Sequence, residues 1–149
     1  MINLDTQDKD LRPSWDAYFL GIADAVAQRA DCTRSLVGAV LVDENHRIVS
    51  TGYNGAPSGV PGCLTASACP RGRLSYDDFP PGSEYGNCIA FHAEHNAILY
   101  AEPALRAGTT LYITRRPCTG CHQLILAEGV SRVVWWTPDH KVADERQYR

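Results

Sequence analysis

The stretch from Thr110 to Trp136 leaves this chain the fewest ways to fold. Thr110-Leu111-Tyr112-Ile113-Thr114 reads as a strand, Cys118 to Glu128 as a helix stopped by Gly129, and Arg132-Val133-Val134-Trp135-Trp136 as a second strand. So short a strand-helix-strand run makes a parallel pair joined by a right-handed crossover, and a parallel pair needs helices packed over it. An all-helical or all-β architecture is thereby excluded.

The upstream segments fit onto that unit. Pro13 and Ser14 start a helix in which Trp15, Phe19, Ile22, Ala23 and Val26 recur at helical spacing up to about Arg29. Leu36 to Val42 is almost wholly apolar, Asp43-Glu44-Asn45-His46 is turn chemistry, and Arg47 to Gly52 resumes a strand, which makes a β-hairpin. Ala93 to Ala101 reads as another helix. The expected fold is α/β: a three-layer α-β-α sandwich in one domain, residues 1–149, whose central mixed sheet of about five strands combines the hairpin with the parallel strands.

Two regions escape this pattern. From Asn54 to about Asn87 the chain is crowded with Gly and Pro, and loops of that length are either functional or disordered. Cys63, Cys69, Cys88, Arg71 and Arg73 in or beside it favour function. The polar tail from Pro138 to Arg149 is either a mobile end or a short helix.

Charge narrows the partners. The 149 residues carry 14 Lys+Arg against 17 Asp+Glu, a formal charge of −3. The uniform basic face that holds long nucleic acid is missing, though a few local arginines can still bind one phosphate. Nothing approaches the ~18 consecutive apolar residues of a membrane span, and Met1-Ile2-Asn3-Leu4-Asp5 lacks the basic start of a secretory signal, so a cytoplasmic protein is expected. There disulfides are uncommon, and Cys32, Cys63, Cys69, Cys88, Cys118 and Cys121 are expected to be free, metal-bound or catalytic.

The chemistry concentrates in His92-Ala93-Glu94 and Pro117-Cys118-Thr119-Gly120-Cys121, each at the start of an expected helix. One histidine and two thiolates give zinc three protein ligands and leave the fourth tetrahedral position open, the catalytic arrangement. The helix beginning near Cys118 turns its positive end towards the sulfurs and favours thiolate. Zinc brings the pKa of a bound water towards about 7, and Glu94 is placed to act as general acid and base on it. Three alternatives stand beside this: a redox C-x-x-C cycling to a disulfide without metal; a structural zinc with a fourth ligand from Cys88, His95 or His122; and, built on such a zinc, a noncatalytic binding protein. The order H-x-E then P-C-x-x-C is the zinc nucleobase-deaminase pattern and favours catalysis.

On these residues, with Asn96-Ala97-Ile98 after the glutamate, the chain resembles the cytidine deaminase superfamily from about Val37 to Trp136. Val37-Gly38-Ala39-Val40 leading into Thr51-Gly52-Tyr53-Asn54-Gly55-Ala56-Pro57, then a cysteine-containing insertion, is similar to the deoxycytidylate (dCMP) deaminases within it. The resemblance implies a cytidine-deaminase-like fold and hydrolysis of a cyclic amidine C–N bond: zinc-bound hydroxide attacks C4 of dCMP and Glu94 shuttles protons, releasing dUMP and ammonia. Another small cytosine, nucleoside or guanine-type substrate is the alternative. Asn54 and Ala93 are implied substrate contacts, with aromatic walls from Tyr112, Trp135 or Trp136 and at least one tryptophan in the core. For the phosphate the candidates are Arg34, Arg71, Arg73, Arg115 and Arg116. Arg115 comes first because it follows a strand end, where open α/β sheets place ligands. Some such enzymes hold a second, structural zinc, for which Cys63, Cys69 and Cys88 are candidates, buried or free thiols being the alternative. A homo-oligomer and regulation by dCTP and dTTP are further implications. His95, His122 and the longer loop from Cys69 to Asp78 depart from the pattern.

Overall fold

A computed structural model describes residues 11–65 and 89–147. The elements are α1 (Trp15–Ala27), β1 (Gly38–Val42), β2 (Ile48–Tyr53), α2 (Ala93–Leu99), a 3-10 turn at Pro103–Leu105, β3 (Thr110–Ile113), α3 (Thr119–Ala127), β4 (Arg132–Trp136) and β5 (Val142–Arg146). The sheet order is β2-β1-β3-β4-β5. β1 pairs antiparallel with both β2 and β3, β3 and β4 are the parallel pair, and β5 returns antiparallel on β4.

Every residue of β1 is buried, because helices cover both faces of the sheet. Ala39 and Leu41 share one face with Leu111, Ile113 and Val133, against Ala93, Ala97 and Ile98 of α2 and Ile125 of α3. Val40 and Val42 share the other with Tyr112 and Val134, against Phe19, Leu20 and Ala23 of α1. This is the expected three-layer sandwich. Two glycines let the helices approach: a methyl on Gly38 would lie 2.1 Å from the Ala23 carbonyl oxygen, and one on Gly52 would lie 2.3 Å from that of Ala93.

Over its described residues the tail is a strand rather than a helix. Thr137 to Lys141 form a turn with His140 at φ 59°, and Val142–Arg146 adds the edge strand β5. Its Val-Ala-Asp-Glu-Arg composition has little strand propensity. The ladder to β4 and the Arg132 Nε bond to Asp144 Oδ2 at 2.9 Å hold it instead. Between Asn54 and Thr65 there is one isolated bridge, Gly55 to Phe91. The remainder of the expected loop, with Cys69, Arg71, Arg73 and Cys88, lies outside the described residues. Among those described, no helix is long and apolar enough to cross a membrane.

Candidate active site

His92 and Cys118 occupy the N-cap positions of α2 and α3. Neither side chain caps its own helix, and both turn into a shared cluster. Glu94 is the second residue of α2 and Cys121 the third of α3, so two helix starts deliver four groups to one place. The Gly55–Phe91 bridge, with Gly55 N–H donating at 3.1 Å and Phe91 N–H at 2.8 Å, brings the chain to His92. Gly52 seats α2 on the sheet, and the Asn96 side chain donates to the Tyr53 carbonyl at 2.8 Å.

One ligand atom from each of His92, Glu94, Cys118 and Cys121 lies within 4.8 Å of the others. His92 Nδ1 stands 3.1 Å from Cys121 Sγ, 3.5 Å from Cys118 Sγ and 3.4 Å from Glu94 Oε1. Zinc–nitrogen and zinc–sulfur bonds of about 2.0–2.3 Å make tetrahedron edges of about 3.5 Å, so the N···S spacings fit the metal. Charge fits as well. Glu94 is 3% exposed and sits beside both thiols. Burial pushes the Cys121 thiol up, reinforced by Glu94 and Cys118, while the hydrogen bond to Glu94 raises His92 against the opposing effect of burial. A divalent cation would let two thiolates and a carboxylate stand together here.

Neither His95 nor His122 belongs to this cluster. His95 stacks on Phe91 at 5.1 Å, and His122 lines a groove of about 420 Å³ with Arg116, Cys118 and Trp135. Cys63 is fully buried against Ile89 and Ala90, and no metal-binding group among the described residues includes it. Asn54 is buried, with its amide donating to the Ser35 carbonyl at 2.7 Å and accepting from the Val37 N–H at 2.8 Å. Arg115 is exposed and donates to Ser35 Oγ at 3.2 Å.

Ser35 therefore joins the two expected substrate contacts. No motif in the sequence marks it, and only its place just before the Val37-Gly38 strand start gave a clue. The aromatic walls divide by strand alternation. Trp135 lies on the α2–α3 face with the Arg116 guanidinium 5.7 Å above its ring. Tyr112 and Trp136 point to the opposite face, bonded to Asp16 and Asp24, and do not line the site.

Comparison with known proteins agrees with the geometry. Residues 13–137 match the family described as the cytidine and deoxycytidylate deaminase zinc-binding region. The chain is 54% identical over 128 residues to a deoxycytidylate deaminase of Mycobacterium phage D29, covering 83% of this chain and 95% of the phage protein. It is 39% identical over 127 residues to the Schizosaccharomyces pombe deoxycytidylate deaminase, covering 85% of this chain but 38% of the longer yeast protein. A dCMP deaminase from the cyanophage S-TIM5, solved with dCMP and dUMP, superposes with a TM-score of 0.62 at 28% identity, covering 85% of this chain and 83% of that one. The chain belongs to the cytidine and deoxycytidylate deaminase zinc-binding family.

Proposed function

We propose that this protein hydrolyses dCMP to dUMP and ammonia. The observation that carries the reading is the convergence of His92, Cys118, Cys121 and buried Glu94 at two helix starts. The naming of the phage and yeast relatives, and the nucleotides in the S-TIM5 structure, support dCMP as the substrate.

His92, Cys118 and Cys121 hold one zinc. Bound there, the metal supplies a Lewis acid that brings the pKa of a water towards about 7. Glu94 has no metal-ligand duty in this reading. Its carboxylate would take a proton from the attacking water and deliver it to N3 of the cytosine as the water oxygen bonds to C4, then carry the proton of the new C4 hydroxyl to the amine, so that the C4–N bond breaks, ammonia leaves and C4=O remains. The burial of Glu94 excludes bulk water from the transfer.

Asn54 keeps one amide hydrogen and one acceptor lone pair beyond its two backbone bonds, enough for one substrate contact. Ala93 is fully buried and contributes backbone. Arg115 meets the 5′-phosphate, its guanidinium steadied by Ser35. A single domain and a cytoplasmic location, read from the sequence, and a homo-oligomer with control by dCTP and dTTP, implied by family resemblance, are further parts of the proposal.

The test is ammonia release by zinc-replete protein from dCMP, deoxycytidine, cytosine and guanine. Preference for dCMP by about tenfold or more in kcat/KM is expected, since the nucleoside lacks the phosphate that Arg115 would pair. Turnover of an unphosphorylated compound with none on dCMP would replace the substrate assignment. Zinc-loaded protein inactive on all four would favour a noncatalytic binding role.

A further inference from the structure

Asp31, four residues beyond the end of α1, accepts three hydrogen bonds from the chain at Leu64 and Thr65. Its Oδ1 accepts from the backbone N–H of Leu64 at 2.7 Å and of Thr65 at 3.0 Å, and its Oδ2 accepts from the Thr65 hydroxyl at 2.9 Å. Its own N–H donates to the Asn54 carbonyl at 2.9 Å. The backbone closes tightly on it. A methyl on Gly62 would fall 1.8 Å from Asp31 Oδ2, and one on Gly55 would fall 3.4 Å from its Cβ.

Asp31 thus joins three segments that the sequence separates: its carboxylate bonds to the 62–65 turn fix the residue, and its backbone N–H, so placed, meets the Asn54 carbonyl. The turn at residues 62–65 is held by the carboxylate, and the end of β2 is held through Asn54. Cys63, inside that turn, is fully buried against Ile89 and Ala90, which lead into the Phe91 bridge and His92. Burial of Asp31 opposes its charge, but the Thr65 and Leu64 bonds outweigh it and hold the carboxyl below its ordinary range.

We infer that Asp31 is a positioning residue for nucleotide binding: it fixes the Asn54 backbone and the 62–65 turn, and so sets substrate affinity without taking part in the proton transfers. The inference rests on the reading of Asn54 as a substrate contact. His92, Glu94, Cys118 and Cys121 are carried by the starts of α2 and α3, neither of which is a hydrogen-bond partner of the Asp31 carboxylate. Loosening Asp31 should therefore weaken binding of ground state and transition state alike. That pattern appears in KM and leaves kcat near its original value.

The experiment compares Asp31→Ala, Asp31→Asn and Thr65→Ala with the parent, as zinc-replete proteins, on whichever member of the four-compound panel the parent deaminates. Asp31→Ala should raise KM about tenfold with kcat within about twofold and zinc content unchanged. Asp31→Asn keeps the oxygen that accepts from Leu64 and Thr65, so it should recover most of that loss. Thr65→Ala removes one bond of the three and should raise KM about two- to threefold. It keeps the inference open to refutation if Asp31→Ala does not fold. An unchanged KM in both alanine variants, a fall in kcat and zinc content with KM constant, or an asparagine variant as impaired as the alanine one would overturn the role. Parent activity on deoxycytidine but not dCMP would defeat the substrate reading alone, because the KM ratios still decide Asp31.

Discussion

The two faces of the sheet use the same packing device for opposite ends. On one, Gly38 lets α1 approach until its backbone would touch a methyl; on the other, Gly52 does the same for α2. Both faces also carry a concavity of similar size, about 470 Å³ beside Trp15, Asp16, His46 and Arg132 and about 420 Å³ beside Cys118 and Trp135. What differs is the use of the helix starts. α1 begins conventionally, with Ser14 Oγ accepting from Ala17 N–H, and the Asp16 carboxylate in its first turn is gripped at both oxygens by Arg132 at 2.8 Å. α2 and α3 begin with His92 and Cys118, which forgo capping and aim at a common point. Ion pairing marks one face as structural, and four clustered groups able to hold a metal mark the other as the candidate for chemistry. Cavity volume does not discriminate between them.

The largest effect should separate the faces by charge removal. Glu94→Gln keeps the size of the side chain and leaves the three metal ligands in place, yet abolishes the proton carrier. Deamination should fall about a thousandfold with zinc content unchanged, read by ammonia release and metal analysis. Asp16→Asn, on the other face, should leave kcat within about twofold. Equal losses in the two variants would erase the distinction between the faces.

Next in size is a matched pair of methyl insertions. Gly38→Ala and Gly52→Ala each press a side chain into helix backbone, and each should cost about 1–3 kcal/mol in urea unfolding. Only Gly52→Ala displaces the helix that carries Glu94, next to Ala93, so it alone should also lower kcat, by about tenfold or more. A Gly38→Ala variant equally slow at saturating substrate would mean that α1 is coupled to the site.

Much of this division was legible in the residues themselves. Almost wholly apolar sequence through Leu36 to Val42 announced a strand of the hairpin, and the two metal-ligand clusters announced helix starts. Strand alternation could not be phased without the register, which is why Tyr112 and Trp136 were candidates for the site although they face α1. β5 was missed because its stability comes from β4 and Asp144 rather than from its own polar residues. Ser35 and Asp31 were missed for a related reason. Their roles arise from contacts 19 to 80 residues away in sequence, which no local pattern encodes.

A smaller effect tests the closed pairing on the α1 face. Arg132 donates both terminal nitrogens to Asp16 and its Nε to Asp144, tying α1, β4 and β5 together, while the Tyr112 hydroxyl donates to Asp16 at 2.9 Å. Arg132→Met keeps the aliphatic stem and should destabilise by about 1–2 kcal/mol at neutral pH, between the values for surface and buried pairs, with kcat preserved.

The pH dependence sharpens that test. Burial works to raise the Asp16 pKa, but the Arg132 and Tyr112 hydrogen bonds outweigh it and hold the group below its ordinary 3.8. A depressed folded-state value means that the unfolded chain takes up the proton first as pH falls. The contribution of Asp16 is then complete above the ordinary value and is lost as pH drops through the lower folded one. The stability gap between parent and Arg132→Met, measured by denaturant unfolding from pH 7 downwards, should hold constant to about pH 5 and narrow below about pH 4. A gap that closes already between pH 7 and 5 would trace the stabilisation to another group and leave the Asp16–Arg132 pair without the closing role assigned to it.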